Sequence, residues 1–331
     1  MTPAAGPARY DEPAVRRLLD RDTAFASQRE AFRCLGEGLA DLGPRVVLGG
    51  GDGDAVTFSY TARLRRGTGT VCKLGGVNEE NAARGLATVQ ATVVVLDART
   101  GAVAAILDGN AITELRTAAA TAVAVQHLAP AATPLRLAVV GCGVQGAAHL
   151  RALTHHCGVA SVALWDRDPA RAAALATGSP AGVPVTPVAG LATAVSEADV
   201  VVCCTTSTTP LLEIGWVKPG ATVVSIGSFA PDRLEVSGEF AARAARVVVD
   251  HLPTALHQAG PVIAAVADHG LDPSAILELG AVVAHGAPAR TTGGDIVFYN
   301  SVGIGVQDAA AALAILDRDT AADSTTANGA A

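Results

Sequence analysis

The ten residues Leu137–Gly146 decide the fold, and they read LAVVGCGVQG. The first four are apolar, as in a buried strand, and the glycines that follow have the spacing GxGxxG. Gly141 permits a tight turn, Gly143 lets the backbone approach a pyrophosphate, and Gly146 lets a helix pack closely on the strand. The stretch therefore predicts a strand, a turn and a helix whose positive N-terminus binds the pyrophosphate of a dinucleotide.

The next apolar segment ends in Trp165-Asp166, and Asp166 lies twenty residues after Gly146. A carboxylate at the end of the second strand accepts hydrogen bonds from ribose hydroxyls, and it repels the 2′-phosphate of NADP. The sequence therefore favours NAD(H) as the cofactor. NADP(H) stays open as the alternative, because Arg167 follows Asp166 and a guanidinium binds phosphate well.

Strands and helices alternate through the central part of the chain. Continuous apolar runs with helical segments between them predict a parallel sheet covered on both faces, as in a Rossmann doubly wound fold. Five such runs occur, at residues 137–140, 161–166, 200–204, 222–226 and 247–250.

The segments before and after this central part differ from it in the spacing of their apolar residues. Residues 12–42 have the apolar spacing of two amphipathic helices, and residues 45–108 contain short β-rich segments that predict an antiparallel sheet with hairpins. Thr113 is a predicted N-cap for an Ala-rich helix that ends at Leu128, and another helix is predicted over about 301–316. The expected fold class is α/β, with a Rossmann doubly wound parallel sheet plus an α+β domain.

These patterns divide the chain into three parts. Residues 1–128 together with 302–320 are predicted to form the α+β domain, and residues 129–301 the Rossmann dinucleotide-binding domain. Residues 321–331 are small and polar, without an apolar period, and they predict a disordered tail.

Composition argues against several classes of protein. The net charge of −7 argues against a nucleic-acid partner, which needs a basic surface. The sequence has no long apolar run and no secretory signal at its start, so no membrane association is expected. The six cysteines form no CxxC pair, which favours the cytoplasm. No metal site is predicted, since the adjacent side chains of His155-His156-Cys157 point in different directions on a helix.

Four features, the glycine-rich turn among them, occur together in a way that is not general to Rossmann proteins. Their order and spacing resemble the ornithine cyclodeaminase/μ-crystallin family over roughly residues 12–316. They are Lys73 followed by Asn81–Gln90, then Asp108–Ala120, Gly141–Gly146 and Asp295–Asp308. The resemblance implies a homodimer in which the α+β domain binds substrate and forms the dimer contacts. It also implies hydride transfer at the α-carbon of a small amino-acid-like substrate that carries a carboxylate.

The resemblance assigns roles in substrate binding. Arg45 and Arg116 match two arginines that hold the substrate carboxylate, and a guanidinium fork binds a carboxylate at two points. Lys73 matches a lysine at the reacting centre, where it is the candidate catalytic residue and proton donor. Val302 matches a residue that lines the substrate pocket, although a core valine is an equally good interpretation.

The resemblance also assigns contacts to the cofactor. The matching residues lie mainly in the Rossmann domain, at the glycine-rich turn and at the ends of its strands. They are Thr88, Arg116, Gly141, Gly143, Val144, Gln145, Gly146, Asp166, Thr205, Gly227, Ser228, Arg233 and Ser301.

The sequence departs from the family pattern at Phe229. In the cyclodeaminase members a catalytic aspartate follows the fifth Rossmann strand, and in this chain Phe229 occupies that place. Phenylalanine accepts no proton and pairs with no distal amino group, whereas it suits a substrate without a second charge. The sequence therefore predicts an NAD(P)-dependent amino-acid dehydrogenase, or a reductase of cyclic ketimines and other imino acids.

Two alternatives remain open at the level of sequence. One is an ornithine or lysine cyclodeaminase that releases ammonia with bound NAD and uses a relocated acid, Asp232 or Glu235. The other is a catalytically silent protein that binds a nucleotide or another small ligand. Ammonia release without net NADH change distinguishes the cyclodeaminase from the first prediction, and a Lys73→Ala variant tests the binding protein.

Overall fold

A computed structural model describes residues 6–49, 54–131, 134–179 and 182–328. The chain divides into two compact units. The first unit comprises Met1–Arg116 and Gly305–Ala331, and the second comprises Thr117–Ile304. The division falls inside one helix, whereas the sequence places the boundary at that helix's end, residue 128.

The first unit contains a seven-stranded mixed sheet with the order β1-β7-β6-β5-β4-β2, and β3 also pairs with β4. Neighbours are antiparallel, as the sequence predicts, except that β1 pairs with β7 in parallel. Side chains alternate along β4, where Phe58, Tyr60 and Ala62 are buried. The strands are β1 (Ala8–Tyr10), β2 (Asp41–Leu42), β3 (Val46–Leu48), β4 (Val56–Arg63), β5 (Thr70–Val77), β6 (Val89–Leu96) and β7 (Val103–Asp108).

An aspartate directly precedes each of the first three helices. They are α1 (Glu12–Leu18), α2 (Arg21–Gly36) and α3 (Gly109–Leu128). A 3-10 turn covers Glu79–Arg84. The predicted N-cap at Thr113 is wrong. Helix α3 begins one turn earlier, because the Asp108 carboxylate accepts a hydrogen bond from the Ala111 N–H at 2.7 Å.

The last helix, α11 (Gly305–Asn328), packs on β4, β5 and α2 within the first unit. Residues 321–328 continue this helix, whereas the sequence predicts a disordered tail there. Alanines favour the helix, and no glycine or proline interrupts the segment before Gly329. Residues 329–331 lie outside the described part of the chain.

The second unit contains an eight-stranded parallel sheet with the order β10-β9-β8-β11-β12-β15-β13-β14. This is the Rossmann sheet that the sequence predicts, with three additional short strands. The last of them, β15, lies between β12 and β13. The strands are β8 (Leu135–Val140), β9 (Val159–Trp165), β10 (Val185–Pro187), β11 (Val200–Cys203), β12 (Thr222–Ser225), β13 (Arg246–Val249), β14 (Leu277–Glu278) and β15 (Val297–Asn300).

The helices of this unit are α4 (Val144–His156), α5 (Pro169–Thr177), α6 (Leu191–Ser196), α7 (Gly238–Arg243), α8 (Leu252–Gln258), α9 (Gly260–Asp268) and α10 (Leu279–His285), with 3-10 turns at Ile214–Trp216 and Pro273–Ala275. The central strands β11 and β12 are buried along their whole length. Such continuous apolar strands are typical of a sheet covered on both faces. Among the described residues, no helix combines the length and hydropathy that a membrane span requires.

Candidate active site

The glycine-rich turn has the geometry that its sequence predicts. Gly141 has a φ of +95°, and a Cβ atom there would lie 2.9 Å from the carbonyl oxygen of Cys204. A Cβ atom on Gly146 would lie 2.0 Å from the carbonyl oxygen of Gly141, so only glycine fits. A Cβ atom on Gly143 would meet open space, which leaves room for a ligand against the backbone.

The N-terminus of α4 faces outward from this turn. Val144 is 68% exposed, and no side chain of the described residues caps the helix at Gly143. The N–H groups of the first helical turn are therefore available to a phosphate. Gln145 is half-buried, and its side-chain oxygen has no hydrogen-bond partner among the described residues.

Asp166 lies directly after β9 and contacts the glycine-rich turn. One carboxylate oxygen accepts a hydrogen bond from the Cys142 N–H at 2.7 Å, and the other accepts one from the Asp168 N–H at 2.8 Å. These bonds fix the carboxylate beside the turn, as a contact with an adenosine ribose requires. The residues of the turn therefore fit a bound dinucleotide.

Replacing Asp166 with serine is expected to weaken NAD binding about tenfold and to reduce the preference for NAD over NADP. The serine cannot hold the turn with two hydrogen bonds, and it no longer repels a 2′-phosphate. Titration with both cofactors measures the change. Asp168→Ser is the control, because Asp168 caps α5 from the same loop through the Ala170 N–H. An unchanged ratio of the two affinities would contradict the assignment.

Glu235 binds three of the predicted cofactor contacts, which are Thr205, Gly227 and Ser228. The sequence does not predict these contacts with Glu235. Glu235 accepts hydrogen bonds from the Thr205 N–H at 2.5 Å and from the Gly227 N–H at 2.7 Å. Its own N–H donates to the Ser228 hydroxyl at 3.0 Å. Glu235 is fully buried, and its position between Leu234 and Val236 is the only sign of this in the sequence.

Ser301 belongs to a second buried network at the end of β15. Its hydroxyl donates to Asp250 at 3.1 Å, and Asp250 also accepts from the Gly303 N–H at 2.7 Å and the Tyr299 hydroxyl at 2.5 Å. Val302 is 7% exposed and belongs to the apolar core of the second unit. Burial of Val302 therefore supports the interpretation as a core residue.

Phe229 and Arg233 form a stacked pair. The guanidinium carbon of Arg233 lies 5.1 Å from the centroid of the Phe229 ring, and the guanidinium donates to the carbonyl oxygen of Thr206 at 3.2 Å. Phe229 packs against the apolar core, so no acid stands at this position. Asp232, one alternative acid, is exposed to solvent.

The predicted catalytic lysine is buried in the first unit. Lys73 on β5 pairs in register with Tyr60 on β4 and is 2% exposed. Its ammonium group donates to Asp308 on α11 at 2.9 Å and to the Thr113 hydroxyl at 2.5 Å. The Tyr60 hydroxyl donates to the other carboxylate oxygen of Asp308 at 2.9 Å.

Both predicted arginines lie near this group. The Arg116 Nε atom is 3.7 Å from Asp308, and its guanidinium donates to the side-chain oxygen of Gln307 at 3.3 Å. The Arg45 guanidinium lies 5.9 Å from the centroid of the Tyr60 ring. Sequence reasoning missed Asp308 as a site residue, although it ends the motif Asp295–Asp308. Thr88 is half-buried in the same unit, and its carbonyl oxygen accepts from the Asn78 N–H at 3.0 Å.

Burial and mutual charge set the protonation of this group. Burial lowers the pKa of Lys73 to about 8, although Asp308 acts in the opposite direction. Burial pushes the pKa of Asp308 upward, but Lys73 and Arg116 together hold it below its usual value. Burial lowers the pKa of Arg45 and raises that of Tyr60 well above its usual value.

The charges of this cluster do not balance. Lys73 and Arg116 are both nearly fully buried, and among the described residues they share a single carboxylate, Asp308. Two positive charges against one negative charge leave one positive charge in excess. A buried excess of charge is costly unless a counter-ion approaches, so the cluster is complementary to an anionic ligand.

Comparison with known proteins shows the family to which the chain is related. The chain is 34% identical to the ketimine reductase mu-crystallin of Rattus norvegicus over 231 residues, which cover 69% of each protein. It superposes on the iminosuccinate reductase of Paracoccus denitrificans, solved with NAD+, with a TM-score of 0.88, 29% identity, and coverage of 96% of this chain and 98% of that one.

An archaeal alanine dehydrogenase dimer with bound NAD is similar as well, with a TM-score of 0.88, 26% identity, and coverage of 96% of this chain and 97% of that one. The family model described as ornithine cyclodeaminase/mu-crystallin matches residues 13–323. The chain belongs to the ornithine cyclodeaminase/mu-crystallin family.

Proposed function

We propose that this protein is an NAD-dependent oxidoreductase that interconverts small α-imino or α-keto acids and the corresponding amino acids. The observation that carries the proposal is the excess positive charge of Lys73 and Arg116 around Asp308. A substrate carboxylate is the anion that would compensate it. The similarity to an iminosuccinate reductase solved with NAD+ supports the cofactor and the class of substrate.

The proposed mechanism assigns a task to each residue of the cluster. Arg116 and Arg45 bind the substrate carboxylate and thereby fix the α-carbon in one orientation. The Lys73 ammonium donates a proton to the imine nitrogen as the C=N bond becomes a C–N bond. Asp308 and Thr113 hold that ammonium in place. When bound, NADH would supply the hydride that the α-carbon accepts, and NAD+ would be the other product.

The surroundings of Phe229 favour reduction over cyclodeamination. Cyclodeamination needs a carboxylate that handles a second amine. Asp232 is exposed, and both carboxylate oxygens of Glu235 are occupied by donors from Thr205, Ser225 and Gly227. A relocated acid in this segment is therefore unsupported.

The assay follows the absorbance of NADH with purified protein. We expect NADH oxidation with cyclic imino acids such as pyrroline-2-carboxylate, or with pyruvate plus ammonia, and a stoichiometric amount of amino acid as product. Ornithine with NAD+ is the comparison. Ammonia release from ornithine without net NADH change would instead establish a cyclodeaminase, and cofactor binding without either reaction would establish a binding protein.

We also propose that the protein is a homodimer joined through the outward face of the first unit's sheet. On this face Val46 and Leu74 flank Ser59 on neighbouring strands, and Leu48 lies beside Thr57. Val46 is 51% exposed, Leu48 66% and Leu74 49%. A contiguous group of exposed apolar side chains is typical of a protein interface. The similar archaeal alanine dehydrogenase is a dimer.

Replacing Leu74 with glutamate is expected to convert the dimer into monomers, because it buries a charge in an apolar interface. Size-exclusion chromatography with light scattering measures the mass. Leu39→Glu is the matched control, since Leu39 is also an exposed leucine, at 43%, but lies outside the strands. The interface is misassigned if the Leu74 variant keeps the mass of the wild type.

We place the protein in the cytoplasm. The cysteines are all free in the structure, and four of them are buried. Free thiols persist in a reducing compartment. Fractionation of cells that express the tagged full-length chain tests this assignment.

A further inference from the structure

The Glu235 carboxylate is a buried charge that the proposed reaction does not use. It is fully buried in the second unit, beyond the end of β12. Its contacts reach the residues that follow two neighbouring strands, Thr205 after β11 and Gly227 after β12. A Cβ atom on Gly227 would lie 2.6 Å from Glu235, so the turn is closely fitted to the carboxylate.

Four neutral donors stabilise the ionised form of this carboxyl group. One oxygen accepts from the N–H of Thr205 at 2.5 Å and from its hydroxyl at 2.8 Å. The other accepts from the Ser225 hydroxyl at 2.7 Å and the Gly227 N–H at 2.7 Å. Each oxygen thus accepts one bond from a backbone N–H, which can only donate, and one from a hydroxyl, so the arrangement favours the carboxylate. Burial raises the pKa of Glu235 above its usual value, and the four bonds oppose this rise.

Nearby titratable groups respond to the same charge. The thiols of Cys203 and Cys204 have pKa values well above the usual range, because of burial and, next, because of Glu235. Both thiols therefore stay neutral at neutral pH, and they add no negative charge beside Glu235.

The order of the strands indicates which end of a dinucleotide lies near Glu235. Gly141–Gly146 and Asp166 follow β8 and β9, so this side takes the pyrophosphate and the adenosine ribose. The two ends of a dinucleotide bind to the two halves of a Rossmann sheet. The nicotinamide half therefore belongs to the other side, at the ends of β11 and β12, where Thr205 and Gly227 bind Glu235.

We propose that the buried Glu235 carboxylate biases this crevice toward the oxidised cofactor. The nicotinamide ring carries a positive charge in NAD+ and none in NADH, so a fixed negative charge behind Thr205 and Gly227 attracts only the oxidised form. Charges near a cofactor ring are a known means by which a protein adjusts its redox equilibrium. Glu235 acts through the electric field of its charge and through Thr205 and Gly227, which it binds. It is therefore a positioning residue.

The test is the affinity of the full-length protein for NAD+ and for NADH, measured by calorimetry and by NADH fluorescence without substrate. In Glu235→Gln, the Thr205 bonds are kept and the new NH2 group can donate to the Ser225 hydroxyl, while the bond from the Gly227 N–H is lost. We expect the Kd for NAD+ to rise about tenfold and that for NADH to change less than about threefold, as one unit charge in a partly buried site requires. Ser225→Ala is the matched control, because it removes one donor and keeps the charge, and it should keep the wild-type ratio.

Equal weakening of both cofactors, or no change in either, would overturn the proposal, since only a charge acts on one redox form. If Glu235→Gln does not fold, the double variant Glu235→Gln/Ser225→Ala gives the new NH2 group more room and is compared with Ser225→Ala alone. The inference rests on NAD as the cofactor and not on the substrate. A wild-type protein that binds neither NAD+ nor NADH would defeat the proposed function, whereas an unchanged ratio defeats this inference alone.

Discussion

Replacing Lys73 with methionine is expected to lower kcat/KM for NADH-dependent reduction by about a thousandfold or more, while NADH affinity stays close to that of the wild type. Methionine fills the same buried volume and removes the charge and the proton. The substrate loses its proton donor, and Arg116, which at 3.7 Å is the more distant of the two positive charges at Asp308, remains. NADH affinity should change little because the glycine-rich turn and Asp166, which are expected to bind the cofactor, are unaltered in this variant.

Steady-state kinetics and an NADH fluorescence titration measure the two quantities. Lys218→Met is the matched control, because Lys218 is the only other lysine in the sequence and pairs with Asp199 in the second unit. That variant should keep nearly full activity. Activity within a few-fold of the wild type for Lys73→Met would show that Lys73 is not the proton donor.

Replacing Asp308 with asparagine is the second change with a large expected effect. Burial already lowers the pKa of Lys73 to about 8, and Asp308 is the group that raises it. Without the carboxylate, the pKa of Lys73 falls further, so less ammonium remains at neutral pH. Since the proton donor must be protonated, the activity of the variant should begin to fall at a lower pH than that of the wild type. The alkaline limb of the kcat/KM profile should therefore move to lower pH, with about a tenfold or greater loss at pH 8.

NMR of protein labelled with 13C at lysine Cε measures this pKa directly. The spectrum contains only Lys73 and Lys218, and Lys218 is the internal reference. The control is Tyr60→Phe, which removes one hydrogen bond from Asp308 but keeps its charge, and should move the limb little. Breaking a buried ion pair also destabilises the fold by about 3–5 kcal/mol, which a urea titration detects. An unchanged or raised pKa of Lys73 in Asp308→Asn would refute this role of Asp308.

The sequence predicts the local geometry of a motif better than it predicts contacts between residues that are far apart in the chain. The glycines of Leu137–Gly146 were predictable because each has a steric reason that depends on a few neighbouring residues. Asp308 and Glu235 were not, because their importance comes from contacts with strands far away in the chain. Lys73 and Asp308 are 235 residues apart, and no periodicity connects them.

The errors in secondary structure have the same physical origin. Thr113 has the right type of side chain for an N-cap, but Asp108 reaches the helix first and leaves the Thr113 hydroxyl to bind Lys73 and the Gly109 carbonyl oxygen. Strand β15 lies within the motif Asp295–Asp308, for which the sequence does not predict a strand. Only pairing with β12 and β13 reveals it as a strand.

The central claim is that the excess positive charge of Lys73 and Arg116 binds a substrate carboxylate. The most direct measurement compares NADH oxidation with a cyclic imino acid and with its carboxamide, which is neutral and otherwise the same. A preference of about a hundredfold or more in kcat/KM for the acid is expected, since one buried ionic hydrogen-bonded contact is lost with the amide. Equal kcat/KM values for the acid and the amide would contradict the account.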